Sequence, residues 1–325
     1  MRVLVTGIDG FVGSHMADFL LHQRGIDVHG TIYDPRPSDL IRHLEGKIGL
    51  HRADVLDSDA IGALVASLEP DRIIHLAGQA FIPTSVADPA GTFRTNVMGG
   101  ISVLEAGRSL GQKKLRAPSV LIVSSGEVYG HVEVARQPIM ESMPINPANP
   151  YAASKGSIDV IAQEYHRALG VDVFVVRPFN HSGPRQSPNF VCSDFGRQFA
   201  RIALGLMEPQ LSVGNTDTRR DFTDVRDVVR AYWMLFSSNS AERVFNVCSG
   251  EAIRIREIIA TLEEVTRIRV EVNEDPRRIR PSESPLIVGS CQRLQSTTGW
   301  SREFNLRQTL ADVFTYWKEE IAKQK

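Results

Sequence analysis

The 325-residue sequence predicts an α/β fold, a doubly wound parallel sheet of the Rossmann-like type with a smaller, mixed α/β lobe. Two observations lead to this prediction. Short apolar runs alternate with helical patterns through the first half of the chain, and such alternation implies right-handed crossovers and a parallel sheet covered by helices on both faces. A glycine-rich turn also follows the first apolar run directly, where nucleotide-binding folds carry one.

Six apolar runs predict the strands of this sheet. Each run is short, and most are followed by a helical pattern, as expected of buried parallel strands. After the first run, Val12, Met16 and Leu20 recur at helical spacing, so the first helix is predicted to begin there. The six predicted strands are residues 2–6, 27–32, 48–55, 72–77, 119–124 and 172–179.

The turn between the first strand and the first helix has the sequence TGIDGFVG at residues 6–13. Its glycines permit a tight turn and let the backbone approach a pyrophosphate, whose charge is stabilised at the N-terminus of a helix. We therefore expect Gly7, Gly10, Phe11 and Val12 to contact a dinucleotide cofactor, with Gly13 completing the turn.

Two later strand ends are expected to contact the adenosine part of that cofactor. Asp54 and Val55 end the third predicted strand, although Asp54 is also interpretable as a helix cap before Ser58. After the second strand, an acidic residue favours NAD and a nearby arginine favours NADP. Asp34 lies slightly later than the usual acidic position and Arg36 follows it, so the choice between NAD and NADP stays open.

Beyond residue 179 the alternation becomes irregular. Helices are predicted at residues 193–206, 225–236, 254–266 and 306–321, and strands at residues 211–213, 243–248 and 267–272. We predict a dinucleotide-binding domain over residues 1–179, to which residues 215–248 return. Residues 180–214 and 249–325 form the predicted substrate lobe. The sequence shows no flexible linker between these parts, so the two lobes are expected to be interleaved.

Composition argues against several classes of function. A formal net charge of −1 gives no electrostatic reason to expect nucleic acid or an anionic membrane as a partner. The chain starts with a strand pattern rather than a signal peptide, and no apolar run approaches the roughly 20 residues of a membrane span. We expect a cytoplasmic protein without a metal site, because the histidines lack metal-ligand spacing. Cys192, Cys248 and Cys291 are far apart in the sequence and are expected to be reduced thiols.

The second chemical signal combines a helix with the end of the fifth strand. Tyr151 and Lys155 lie four residues apart on one helix face, and Asn149 and Pro150 mark the start of that helix. A neighbouring ammonium is expected to lower the pKa of the tyrosine. Ser125 ends the fifth strand, and ligands of such folds bind beyond the carboxyl ends of the strands. Ser125, Tyr151 and Lys155 are therefore predicted to converge on one carbonyl oxygen.

Taken in order, these motifs resemble the extended short-chain dehydrogenase/reductase family over nearly the whole chain. The resemblance rests on the glycine turn, HLAG at residues 75–78, Thr95-Asn96, the Ser125, Tyr151 and Lys155 set, and RPFNH at residues 177–181. Within the family, the chain is similar to the branch that acts on GDP-mannose and its products, and more to its reductases than to its dehydratases. The stretches that indicate this branch are LAGQ at 76–79, SSGEVYG at 124–130, RDF at 220–222, FNVCSG at 245–250 and RPSE at 280–283.

The resemblance implies an NAD(P)(H) cofactor and a role for each motif residue. Tyr151 would protonate the sugar oxygen, Lys155 would hold the nicotinamide ribose, and Ser125 would bond the same oxygen. Further cofactor contacts would come from Leu76, Ala77, Gly78, Asn96, Ser124, Pro178 and His181. The GDP-linked sugar would contact Gln79, Ser125, Glu127, Asn180, Phe190, Val191, Arg220, Arg280 and Glu283. Asn180, Arg220 and Glu283 are also interpretable as a turn residue, a surface charge and a solvated carboxylate.

The detailed reaction depends on Glu127. We predict reduction of the C4 keto group of a GDP-4-keto-6-deoxy sugar, with Tyr151 as the proton donor. A 4,6-dehydratase needs a carboxylate beside the hydroxyl residue as a base, and Glu127 has that spacing, so this alternative stays open. A nucleotide-sugar 4-epimerase and a dinucleotide sensor without turnover are the further alternatives. The resemblance also implies a homodimer that pairs the helix after Asn96 with the helix of Tyr151.

Overall fold

The computed structural model describes residues 1–113, 117–238, 240–275 and 284–323. A seven-stranded, fully parallel sheet forms its centre, in the order β10-β6-β5-β4-β1-β2-β3. The sheet confirms the predicted doubly wound fold. Its strands are β1 (Arg2–Thr6), β2 (Asp27–Ile32), β3 (Gly49–Arg52), β4 (Arg72–His75), β5 (Ser119–Val123), β6 (Val173–Pro178) and β10 (Val244–Val247).

Helices cover both faces of this sheet because successive strand residues point to opposite sides. In β1, Val3 and Val5 face one apolar core and Leu4 faces the other. The first core lies under α1 (Phe11–Leu21) and α8 (Val225–Leu235), and the second lies under α2 (Ser58–Leu68), α5 (Gly99–Lys113) and α6 (Pro150–Arg167). The strand order reverses between β1 and β4, so the crevice for a ligand opens beyond their carboxyl ends.

A second region packs beside the carboxyl edge of the main sheet. Its larger sheet contains β7 (Asn180–Ser182), β9 (Arg219–Asp224), β11 (Ala252–Arg254) and β13 (Leu286–Ile287), and β8 (Gln210–Val213) pairs separately with β12 (Glu271–Glu274). A third apolar core lies among its helices. These helices are α7 (Val191–Ala203), α9 (Ile255–Thr266) and α11 (Leu306–Ala322), and α10 (Gln292–Thr298) lies beside β10.

The predicted elements are present, with several differences in their bounds and number. The third strand is shorter than predicted, and the strand predicted from residue 267 begins only at Glu271, because Arg267 ends α9 with a left-handed φ of 59°. The short strands β7, β9, β11 and β13 were not predicted. Residues 225–235 and 244–247 belong with the main sheet whereas residues 219–224 belong to the second, and the proposed division into two lobes stays a prediction.

Within the described ranges, no helix combines the length and apolar character needed to cross a membrane. The same ranges contain no group of three or more His, Cys, Asp or Glu residues that could hold a metal ion.

Candidate active site

At two of the three glycines of the glycine turn, neighbouring protein atoms leave no space for a Cβ. Gly7 has a φ of +66°, and a Cβ there would lie 2.9 Å from the Ala77 Cα. A Cβ on Gly13 would lie 2.2 Å from the Gly7 carbonyl oxygen. Gly10 is exposed at the N-cap of α1, and a Cβ there would meet only that carbonyl oxygen, at 3.3 Å. The space over Gly10 therefore lies open at a helix N-terminus, where a pyrophosphate fits.

The segment after β4 lies against this turn. Leu76 and Ala77 donate their backbone N–H groups to the carbonyl and hydroxyl oxygens of Thr6, at 3.2 and 3.3 Å. The buried His75 side chain also bonds the Thr6 hydroxyl, at 2.8 Å. Burial lowers the pKa of His75 to about 3, and the ammonium of Lys155 adds to the effect. His75 is therefore neutral at physiological pH and joins the glycine turn to the neighbourhood of Lys155.

The two predicted adenosine contacts differ in their surroundings. Asp34 and Arg36 lie in one exposed turn after β2, where Asp34 accepts the Arg36 N–H at 3.1 Å. Asp54 accepts the N–H of Leu56 at 2.9 Å, whereas Asp57 is the residue that caps α2. The helix-cap interpretation of Asp54 is therefore wrong. The side chain of Val55 is buried, and a Cβ on Gly99 would lie 2.7 Å from its Cγ2.

Ser125, Glu127 and Tyr151 meet directly beyond the end of β5. Ser125 caps a short 3₁₀ helix (Gly126–Tyr129) by accepting the Glu127 N–H at 3.1 Å. The hydroxyl of Ser125 and the carboxylate of Glu127 both lie close enough to Tyr151 to influence its pKa. The predicted convergence of Ser125, Tyr151 and Lys155 on one carbonyl oxygen stays a prediction.

The pKa of Tyr151 differs from the sequence expectation. Burial raises it to about 12, and Glu127 raises it further, whereas the hydrogen bond from Ser125 opposes the change. The expected lowering of this pKa by the Lys155 ammonium is not found, and that ammonium donates to the carbonyl oxygen of Val123, at 2.9 Å. Burial also lowers the pKa of Lys155 to about 8. Tyr151 therefore holds its proton firmly at neutral pH, as a proton donor must.

Asn96 fixes the loop that follows Ala77. It lies in a π-helical turn (Arg94–Met98) between α4 (Pro89–Phe93) and α5. Its Oδ1 accepts the Gln79 N–H at 2.8 Å, and its Nδ2 donates to the Gln79 carbonyl at 3.0 Å and to the Ser154 hydroxyl at 2.9 Å. A Cβ on Gly78 would lie 2.9 Å from the Asn96 Oδ1 and 3.6 Å from the Lys155 Nζ. Asn96 thus places this loop beside Lys155.

Other predicted residues surround the same opening. The ring of His181 stacks on Phe11 with centroids 6.0 Å apart, and Asn180 donates to the Asp221 carbonyl at 3.2 Å. Phe190 precedes Val191 at the start of α7 and contacts the edge of the Phe81 ring. Pro178 ends β6, and the buried Ser124 donates to the carbonyl oxygen of Lys155.

The remaining substrate predictions are spread over three places. Arg220 lies in β9 and donates to the Arg219 carbonyl at 2.9 Å. Gln79 donates to the Phe81 carbonyl at 2.7 Å, and its Oε1 is buried without a partner in the part of the chain that the structure describes. The predicted contacts Arg280 and Glu283 lie outside the described residues.

A buried polar network behind the site was missed by the sequence analysis. Arg177 in β6 forms a two-pronged ion pair with Asp159 in α6, at 2.7 and 2.9 Å, and donates to the Tyr129 hydroxyl at 2.9 Å. Tyr129 donates in turn to Asn246 in β10, at 2.7 Å. The network joins the helix of Tyr151 to the turn of Ser125. Asp159 lies four residues after Lys155 on the same helix face, and that spacing is the signal that could have revealed it.

Comparison with known proteins decides the family. A family model described as GDP-mannose 4,6 dehydratase matches residues 4–313. The chain belongs to the GDP-mannose 4,6-dehydratase family. The resemblance stated from the motifs is therefore confirmed, and the family's enzymes are NAD(P)-dependent proteins of the short-chain dehydrogenase/reductase type.

Two curated members of the family align along most of the chain. GDP-6-deoxy-D-mannose reductase from Pseudomonas aeruginosa is 38% identical over 323 residues, which is 99% of both chains. GDP-mannose 4,6-dehydratase from Yersinia enterocolitica is 29% identical, covering 96% of this chain and 92% of the relative.

Solved structures give the same assignment of fold. The structure of RMD from P. aeruginosa complexed with NADPH has a TM-score of 0.85 and 37% identity, covering 98% of this chain and 99% of that one. UDP-glucose 4-epimerase from Thermotoga maritima with UDP-glucose has a TM-score of 0.88 and 26% identity, covering 99% and 100%. The architecture is thus shared with both a reductase and an epimerase, and it does not separate their reactions.

Proposed function

We propose that this protein reduces the C4 keto group of a GDP-4-keto-6-deoxy sugar with NAD(P)H. The observation that carries the proposal is the meeting of Tyr151, Ser125 and Lys155 at the carboxyl edge of the sheet, beside the open glycine turn. The P. aeruginosa relative named GDP-6-deoxy-D-mannose reductase, similar over the full length, supports the choice of this reaction.

The residues of this chain would share the chemistry as follows. A bound reduced nicotinamide supplies the hydride. Tyr151 holds a proton at neutral pH because burial raises its pKa to about 12, and it gives this proton to the sugar oxygen as the C4 carbon is reduced. Ser125 stabilises the phenolate that remains by donating a hydrogen bond to it. Lys155 lies between the Val123 carbonyl and the Gly78 loop, in a position to hold the nicotinamide ribose.

The residues around the crevice fit a dinucleotide. The N-terminus of α1 and the uncovered Gly10 provide a cradle for the pyrophosphate, with Gly7, Phe11 and Val12 on the same turn. Other cofactor contacts would be Asp34, Arg36, Asp54, Val55, Leu76, Ala77, Gly78, Asn96, Ser124, Pro178 and His181. Asp34 and Arg36 share one exposed turn, so the preference between NAD and NADP stays open.

For the sugar nucleotide, Gln79 offers the most specific group. Its buried amide oxygen lacks a partner in the described chain, so a sugar hydroxyl that donates to it would satisfy a group that is costly to leave unpaired. Asn180, Phe190, Val191 and Arg220 are the further proposed contacts. A guanidinium suits a diphosphate because its planar N–H groups bind two oxygens at once.

Glu127 supports a second candidate function, GDP-mannose 4,6-dehydration. Its carboxylate acts on the pKa of Tyr151 and is therefore near the reacting atoms, where a dehydratase needs a base. Such an enzyme returns the hydride to its own product, so its cofactor shows no net change. A dinucleotide sensor would bind the cofactor without any turnover.

Product analysis separates these functions. The purified protein is incubated with GDP-mannose, and separately with GDP-4-keto-6-deoxymannose plus NADPH or NADH, while absorbance at 340 nm is recorded. We expect net cofactor oxidation with the keto sugar and no useful conversion of GDP-mannose. Glu127→Gln keeps the shape but removes the base, and we expect the reduction rate to stay within about tenfold of wild type. Dehydration of GDP-mannose by wild type but not by this variant would establish the second function instead.

A cytoplasmic homodimer completes the proposal. The predicted interface pairs α5 with α6, but Ala152, Ile158 and Ala162 of α6 are buried in the protein's own core. The apolar side chains available nearby are Val160, which is 50% exposed, and Met98, which is 52% exposed. Light scattering at micromolar concentration tests the dimer, and a monomer there would exclude it.

A further inference from the structure

Two of the three cysteines lie side by side although they are far apart in the sequence. Cys248 directly follows β10, and Cys291 caps the start of α10. Both thiols are free, and each lies close enough to the other to influence its pKa. Cys248 is 0% exposed and Cys291 is 9% exposed, so a small molecule reaches Cys291 first. The sequence predicted reduced thiols, and it gave no sign of this contact.

The two sulfurs lie beside the loop that follows β10 and the loop that precedes α10, and Asp221 of β9 joins these loops. A Cβ on Gly289 would lie 2.7 Å from the Cys248 Sγ, and one on Gly250 would lie 3.6 Å from the Cys291 Sγ. Both glycines donate their backbone N–H groups to the buried carboxylate of Asp221, at 3.0 Å from Gly250 and 3.2 Å from Gly289. Any change in the separation of the sulfurs therefore acts on the loops that this carboxylate ties together.

The junction of these loops is in contact with the catalytic turn through one aromatic ring. The same Cβ on Gly289 would lie 2.7 Å from Cε2 of Phe179, and a Cβ on Gly126 would lie 2.9 Å from Cδ2 of that ring. Phe179 is therefore packed between Gly289 and Gly126, with Cys248 against the same glycine. Gly126 separates Ser125 from Glu127, so a shift of Phe179 displaces groups that face the substrate.

The two thiols also differ in acidity. The neighbouring Cys248 lowers the pKa of Cys291, although burial and the charge of Asp221 oppose it. The neighbouring Cys291, followed by burial and Asp221, raises the pKa of Cys248. Thiolate character thus concentrates on the more exposed sulfur, and the thiolate is the form that oxidants attack.

We propose that Cys248 and Cys291 form a reversible oxidative modification site, at which hydrogen peroxide converts the two thiols into a disulfide. The Cys291 sulfur attacks a peroxide oxygen, the O–O bond breaks, and Cys291 becomes a sulfenic acid while the other oxygen leaves as water. The Cys248 sulfur then attacks the Cys291 sulfur, the S–O bond breaks, and the departing hydroxide takes the Cys248 proton to form a second water. The two sulfurs lose two electrons in total, and the peroxide gains them.

Disulfide formation fixes the sulfurs at a covalent separation of about 2.05 Å. Gly289 and Phe179 move with them, and the turn of Ser125 is disturbed. Because a misplacement of about 1 Å can reduce a rate about 100-fold, we expect the oxidised protein to lose roughly tenfold or more in turnover. This effect on turnover rests on the proposed reductase function, whereas formation of the disulfide does not.

The experiment treats the full-length protein with graded hydrogen peroxide and maps its thiols by peptide mass spectrometry. We expect a Cys248–Cys291 peptide pair that has lost two hydrogen atoms, disappears with dithiothreitol, and parallels the loss of keto-sugar reduction. Cys248→Ser and Cys291→Ser should retain basal activity and resist reversible inactivation. Cys192→Ser is the matched control, because Cys192 is also buried but bonds Ser182, and it should behave as wild type.

The outcomes separate the two proposals. Oxidation of Cys291 to a sulfinic acid without a disulfide would overturn the modification site, whereas a disulfide that leaves turnover unchanged would overturn its proposed effect on catalysis. If no variant reduces the keto sugar but the disulfide still forms and alters cofactor affinity, the modification site stands and the reductase function fails.

Discussion

The glycine turn and the turn after β5 face the same crevice but are held in opposite ways. The first turn requires glycine, since a Cβ on Gly7 or Gly13 would clash with neighbouring backbone atoms. The second is fixed by side chains from distant elements, since Tyr129 is bonded to Arg177 and Asn246. The first turn depends on its own glycines and on the close approach of Ala77, whereas the second fails when any one of several side-chain partners is lost.

Tyr151→Phe gives the largest expected effect on the turn after β5. The variant keeps the ring and loses the proton that the hydroxyl delivers, so turnover should fall by about 10²–10⁴-fold. Cofactor affinity, measured by calorimetry, should stay near the wild-type value because the phenol does not form the glycine turn. A variant within roughly threefold of the wild-type rate would show that another group donates the proton.

Asp159→Asn tests the buried network behind that turn. The substitution leaves the Arg177 guanidinium without its charge partner inside the protein, which typically costs about 3–5 kcal/mol. The urea midpoint should fall accordingly. Glu264→Gln, which breaks an exposed ion pair with Arg307, is the control and should cost less than about 1 kcal/mol. Equal costs for the two variants would mean that the buried pair has no special role.

His75 lies where the two regions meet, and its titration should make the free energy of unfolding depend on pH. Its pKa is about 3 in the folded protein and 6.5 in the unfolded chain, so between these values the unfolded chain binds an extra proton. Stability should be complete above pH 6.5 and fall toward pH 3, by up to about 1.4 kcal/mol per pH unit from this group. His75→Asn should show a shallower slope in denaturant titrations, and an unchanged slope would contradict the assignment.

Gly10→Val gives the smallest expected effect and tests the glycine turn. A Cβ at this position would make one tight contact, 3.3 Å from the Gly7 carbonyl oxygen, which a small shift relieves, so the variant should fold, but the side chain would occupy the proposed pyrophosphate cradle. We expect cofactor affinity to weaken about tenfold or more, equal to about 1.4 kcal/mol. Gly62→Val, on α2 with open space around it, carries the same change elsewhere and should bind normally.

The comparison also explains what the sequence could predict. The glycine turn was readable because its cause lies within eight consecutive residues, TGIDGFVG. The meeting of Ser125 and Tyr151 was readable because carboxyl ends of parallel strands share one edge. Strand β9 was missed, since its sequence RRDFTD shows a charged pattern, and Asp221 is buried only because loops at Ser249 and Gly289 supply its donors.

The direction of the Tyr151 pKa shift was also beyond the sequence pattern. The spacing of Tyr151 and Lys155 establishes that they share a helix face, but it does not reveal burial or the competing Val123 carbonyl. Asp159 belongs to the same face and was overlooked because its partner, Arg177, lies on another element. Contacts of this kind depend on tertiary packing rather than on local periodicity.

Because of the π-helical turn at Arg94–Met98, the number of residues between Asn96 and the packed face of α5 matters as much as their identity. Each residue rotates a helix by about 100°, so deleting one residue would turn α5 by that angle relative to Asn96. Val103, Leu104 and Leu110 would then leave the core, or Asn96 would leave the Gln79 loop. The extra residue of the π-helical turn sets the rotation between the apolar face of α5, which packs in the core, and the Asn96 amide, which binds the Gln79 loop. Changes in residue number here are therefore expected to be tolerated far less than changes in residue type.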